Sequence, residues 1–162
     1  MVVVINGRSG VGKDSLIEFA SQELNCRNVS SVDKVKDLAL DAGWDGVKDE
    51  RGRQLLIDLK KALVDYNDLP TKYIIEEYNS FKKSSDDILF VHIREPEEIR
   101  KLENYIPCVT LLITRKSAEK YNLSQEDTVT KFKYDHIFEN DKPIKESGAE
   151  FVKWLKEKIE KI

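Results

Sequence analysis

The run MVVVIN followed by GRSGVGKDS constrains the fold of this chain more than any other stretch. Val2 to Ile5 are consecutive apolar residues, three of them valine, and read as a strand covered on both faces. Glycines at 7, 10 and 12 interrupt it, and Leu16, Phe19, Ala20 and Leu24 then mark one face of a helix. A strand that turns through glycines into a helix can converge its main-chain N–H groups on one point, at the positive end of the helix dipole. The spacing is nearly that of a phosphate-cradling loop: Gly7, four residues (Arg8, Ser9, Gly10, Val11), then Gly12 and Lys13. Serine or threonine ordinarily follows that lysine. Here Asp14 follows it, and Ser15 comes one place later.

The rest of the chain repeats the alternation. Further strand-like runs lie at Asn28–Asp33, Ile88–Ile93, Cys108–Thr114 and His136–Glu139. Helical periods separate them. One carries Leu55, Leu56, Leu59, Leu63 and Tyr66, another Ile74, Ile75, Tyr78 and Phe81. Pro96 opens a helix with Ile99 and Leu102, and Ser147 with Glu150 spells a capping box before Phe151, Leu155 and Ile159. Strands alternating with helices predict an α/β fold, a parallel sheet with helices on both faces. At 162 residues the chain is read as a single domain, 1–162.

Composition excludes several function classes. With 27 basic and 30 acidic side chains the net charge is -3, and no cationic block exists for a nucleic acid. Cys26 and Cys108 are too few for a disulfide framework or a metal knuckle and are expected reduced and buried. No apolar run is long enough to span a bilayer, so the expectation is no membrane partner and a cytoplasmic location.

GKDS in this strand–loop–helix setting resembles the P-loop nucleoside and nucleotide kinases, and in particular the branch whose loops read GKD then Ser or Thr, which includes the deoxynucleoside monophosphate kinases, the nearer likeness, and the animal-type phosphomevalonate kinases. The resemblance implies a three-layer α/β/α sandwich with a five-stranded parallel sheet, the P-loop NTP hydrolase fold of nucleotide kinase type. It implies ATP with magnesium as donor and small-molecule nucleotide substrates, with a homodimer left open. Gly7 to Ser15 would hold the donor, with Asp14 and Ser15 toward Mg²⁺, an ion suited to one or two carboxylates plus phosphate oxygens. In that branch the third strand ends in aspartate, one residue, arginine and a later glutamate. ILFVHIREPEE keeps Arg94 and Glu98 in register but places His92 where the aspartate belongs.

Other site residues follow from the same resemblance. A helical insertion near 40–84 would cover the acceptor, with Arg51 and Arg53 on its phosphate. Asp33, at the close of the second apolar run, would touch the acceptor. A lid near 115–134, with Arg115, Lys116 and Lys120, would close over the triphosphate. YDHIFENDKP is similar to the last strand and loop of guanylate-kinase-like proteins and nominates Asn140 beside adenine. Lys13, Arg94 and Arg115 are the expected catalytic cations. An acceptor phosphate, with a second pKa of about 6, needs no general base, whereas a hydroxyl acceptor would need one, and Asp33 is the candidate.

Overall fold

The computed structural model describes residues 1–119 and 128–161. Five parallel strands form one sheet: β1 (Val2–Gly7), β2 (Cys26–Ser30), β3 (Ile88–His92), β4 (Val109–Thr114) and β5 (His136–Glu139). Their order is β2-β3-β1-β4-β5. The helices are α1 (Lys13–Ala20), α2 (Asp33–Asp41), α3 (Glu50–Asn67), α4 (Leu69–Phe81), α5 (Pro96–Glu103), α6 (Lys116–Glu119) and α7 (Ile144–Ile159), with a 3₁₀ turn at Thr128–Lys131.

β1 is central because both of its faces are apolar. Val3 and Ile5 point to one side, where they meet Phe90, Leu111, Ile113 and the buried faces of α1 and α7. Val2 and Val4 point to the other, against Leu89, Val91 and residues of α4 and α5 such as Ile74, Ile99 and Leu102. Phe151 of α7 anchors the first layer, its ring 5.2 Å from Phe138 and 6.3 Å from Phe90. Each such fully buried side chain contributes about 1.5–3 kcal/mol of burial. The three-layer expectation therefore holds, with the sheet between two helical layers.

Several local expectations shift. The second strand ends at Ser30, where its pairing with His92 ends, and Asp33 opens α2 instead of closing the strand. Its Oδ2 accepts from the Ser30 amide at 2.7 Å, and its charge sits in the first helical turn, where the dipole favours it. α2 itself rests on Val35 and Ala39, a single i,i+4 pair. The capping box is also corrected. α7 begins at Ile144 after Pro143, so Ser147 lies buried inside the helix and donates to the Lys142 carbonyl. Cys26 and Cys108 are free but half-buried, and burial raises both thiols, Cys108 to about 12. No helix among the described residues is long and apolar enough to cross a membrane.

Candidate phosphate-binding site

β1 lies between β3 on one side and β4 on the other, and after β3 the chain crosses from one side of β1 to the other. That is the switch point of the sheet, and ligands of open α/β sheets bind beyond the strand ends at such a point. The glycine loop leaves β1 there. Gly10 and Gly12 adopt φ of 83° and 81°, left-handed values that side chains with a Cβ resist. These two turns swing the backbone so that α1 starts at Lys13 without any side-chain cap. Among the described residues the amides of Gly10, Gly12, Lys13 and Asp14 have no intramolecular partner. Open amides at the head of a helix favour an anion.

Two buried asparagines fix the loop. Asn6, 5% exposed at the end of β1, accepts from the Gly7 amide at 2.9 Å and donates to the Arg94 carbonyl and the Tyr134 hydroxyl. Asn140, 3% exposed, donates to the Val11 carbonyl at 2.8 Å while its own amide bonds the Thr114 carbonyl. Asn140 thus supports the loop from below, which is where the structure places this sequence-nominated residue.

Beyond the loop lies a cavity of about 490 Å³ lined by Ile5, Asn6, Gly7, Arg8, Ser9, Lys13, Ser30, Ser31, Val32, Lys60, His92, Ile93, Arg94 and Val129. A wider open groove continues across Gly10 to Ser15 to Asp33, Lys36, Arg94 and Arg115. The structure therefore brings Gly7–Ser15, Asp33, Arg94 and Arg115 to one place. Arg51 lines a separate cavity with Trp44 and Asp49, and Arg53 is exposed and lines none of these cavities. Lys60 enters from α3 instead. Its signal in the sequence was a charge set among Leu56, Leu59 and Leu63 on the apolar side of a helix.

Electrostatics separate the polar groups. Lys13 donates to Asp14 at 3.0 Å, and this hydrogen bond holds the Asp14 carboxyl below the usual carboxylate range. His92 bonds Asn28 at 2.5 Å, and burial, aided by the charge of Lys13, lowers its pKa to about 4. It is a neutral strand-end group and no substitute for a strand-end carboxylate. Arg94 carries no ion pair among the described residues. Glu98, four residues on, pairs with Lys60 at 2.7 Å instead. Asp33 is engaged by the Ser30 amide and by Lys36 at 3.3 Å. Among the described residues no group of three or more His, Cys, Asp or Glu converges on a metal position. Asp14, 86% exposed at the groove, and Ser15 nonetheless fit an ion brought in by a phosphate chain, which needs few protein ligands.

Sheet order and glycine loop together define the P-loop kinase fold. No protein-family profile matches the chain, and no curated protein matches it in sequence. In three dimensions it is similar to shikimate kinase from Aquifex aeolicus vf5, at 13% identity and a TM-score of 0.55, covering 98% of each chain. It is likewise similar to a sugar kinase from Janibacter sp. HTCC2649, at 12% identity and a TM-score of 0.52, over 96% of this chain and 94% of that one. These likenesses establish the fold, which agrees with the five-stranded parallel sheet expected from the sequence.

Proposed function

We propose that the chain is a phosphotransferase that moves the γ-phosphoryl group of ATP, as its magnesium complex, to a (deoxy)nucleoside monophosphate. The observation that carries this reading is the charge of the cavity beyond the loop. Arg8, Lys13, Lys60 and Arg94 line it, and among the described residues no carboxylate does. A hydroxyl acceptor would need a base in that wall. Asp33, the candidate base in the adjoining groove, is already held by Ser30 and Lys36. A phosphate monoester brings its own anionic oxygen, and four cations suit it.

In this reading the open amides of Gly10, Gly12, Lys13 and Asp14 cradle the donor phosphates. Asp14 and Ser15 hold the magnesium, which when bound neutralises phosphate charge. Lys13, Arg94 and Arg115 face the transferred group, where phosphoryl transfer asks chiefly for positioning and charge stabilisation. The acceptor oxygen bonds the γ-phosphorus, the bond to the bridging oxygen breaks, and ADP leaves. The segment near 40–84 covers the acceptor, presenting Lys60 to the cavity where Arg51 and Arg53 were expected, and the segment near 115–134 serves as lid. Residues 120–127 of that segment, Lys120 included, lie outside the described residues.

One observation favours a second reading. Among the described residues the cavity lining contains no Phe, Tyr or Trp on which a base could stack. A non-nucleotide phosphorylated metabolite such as phosphomevalonate would not need one. An ADP-release assay with each of the four deoxynucleoside monophosphates and with phosphomevalonate decides between the two. Turnover with a nucleotide supports the first reading and turnover with phosphomevalonate alone supports the second. Magnesium–ATP binding without acceptor-dependent release would leave a nucleotide-binding module and end both.

A further inference from the structure

α3 is eighteen residues long, yet Gly52 is its one fully buried residue. Its stripe packs on α2 and α4 rather than on the sheet. From this outlying helix Lys60 reaches inward to the cavity, its side chain 18% exposed. What holds it there is Glu98 of α5, which meets the ammonium with both oxygens, at 2.7 and 2.9 Å. Glu98 in turn accepts from the Ser31 hydroxyl at 3.4 Å, at the end of β2. An ammonium has three N–H donors. Glu98 engages it with two oxygens, and the face that lines the cavity remains open to a ligand.

We infer that Lys60 is the ligand for the acceptor's anionic group and that Glu98 is its positioning residue. The inference rests on the phosphotransferase reading and assigns one cation of that cavity to the acceptor side. Lys13 and Arg8 belong to the loop and the donor. Lys60 lies on a different element, past the ends of β1 and β3, beside Ser31. A phosphate monoester placed between Lys60 and Arg94 meets an ammonium from one side and a guanidinium fork from the other. Glu98 adds a second property. By occupying both ends of its carboxylate on the lysine, it fixes the ammonium before the acceptor arrives, so little side-chain freedom is lost on binding.

The test compares wild type, K60M, K60R, E98Q and the K60M/E98Q double variant in the ADP-release assay. The acceptor is whichever of the four deoxynucleoside monophosphates and phosphomevalonate wild type turns over fastest. K60M should raise the acceptor KM about ten- to hundred-fold, the range of a lost charge-assisted hydrogen bond, with KM for ATP unchanged. K60R should recover part of it. E98Q should raise the same KM less, and the double variant should match K60M, because a positioning group has nothing to act on once the lysine is gone. An unchanged acceptor KM in K60M, or an E98Q effect that adds in full to that of K60M, overturns the inference. If wild type turns over none of these acceptors, the acceptor reading fails by itself. Calorimetry with inorganic phosphate, on protein saturated with a magnesium complex of a non-hydrolysable ATP analogue, then decides the lysine. Phosphate binding lost in K60M supports the assignment, and binding absent from wild type or equal in both overturns it.

Discussion

Replacing Gly12 with alanine should show how the phosphate loop is held. Gly12 sits at φ 81°, so a Cβ costs roughly 1–2 kcal/mol in backbone strain. That Cβ would also fall 2.5 Å from Asn140 Nδ2, a group held in place by its 2.8 Å bond to the Val11 carbonyl. The amide must move, and the buried carbonyl it leaves costs about 1–3 kcal/mol more. The expected loss is therefore about 2–5 kcal/mol, equivalent to a fall of about 5–20 °C in Tm for a chain of this size. Asn140→Ala alone should cost only the second part. In the double variant nothing remains for the new methyl to displace, so its stability should equal that of G12A to within about 0.5 kcal/mol. Urea melts of the three variants measure this. Full additivity of the two single losses, or a G12A loss under about 0.5 kcal/mol, would refute the account of the loop.

Three other variants test separate parts of the structure. A Cβ on Gly52 would stand 2.1 Å from the Val47 carbonyl and 2.8 Å from Trp44 Nε1, so Gly52→Ala should destabilise the start of α3 by more than about 2 kcal/mol; thermal melts within about a degree of wild type would contradict the packing. His92 titrates at about 4 in the folded chain against 6.5 ordinarily, so the unfolded chain takes up the proton first. Stability present above pH 6.5 should fall as pH drops through that window toward 4. His92→Gln removes this contribution, and the stability difference between wild type and H92Q should change between those pH values; a constant difference argues against a buried neutral imidazole. Lys13→Met should lower turnover by about a hundred-fold or more if the ammonium stabilises the transferring phosphoryl group, read in the same ADP-release assay.

What the sequence made legible follows the strength of each physical signal. β1, β3 and β4 are continuous apolar runs, and burial on both faces leaves them no other use, so their places were set to within a residue or so. α2 escaped notice because its core contact is one i,i+4 pair, Val35 and Ala39, inside a charged segment. Asp33 looked like a strand end because Val29 and Val32 flank two serines. In the structure the strand stops at Ser30 and the carboxylate turns back to cap it. The phosphate loop was readable from glycine spacing. The acceptor side was not, because it depends on a tertiary ion pair between Lys60 and Glu98, thirty-eight positions apart. Arg51 and Arg53 had the right charge on the right helix, but they lie a few turns earlier and face elsewhere.

Asn6, which the strand pattern left without emphasis, and Asn140, which the sequence nominated beside adenine, together explain how a loop with open amides keeps its shape. A polar residue closing an apolar strand, as Asn6 does, must find partners for every buried donor and acceptor. It finds them in three segments that line one cavity: the Gly7 amide, the Arg94 carbonyl at the end of β3, and the Tyr134 hydroxyl, which donates on to the Val129 carbonyl at 2.9 Å. Asn140 does the same at the other end of the loop, tying the Val11 carbonyl to the end of β4 through Thr114. With both ends satisfied internally, the amides between them need not fold back on the protein. The loop can therefore stay open to an anion without the stability cost of unpaired groups at its base. For the same reason, Asn6→Leu should damage donor and acceptor binding together, whereas Lys60→Met should damage only the second. Equal magnesium–ATP affinity in N6L and wild type, measured by calorimetry on folded protein, would remove Asn6 from this role.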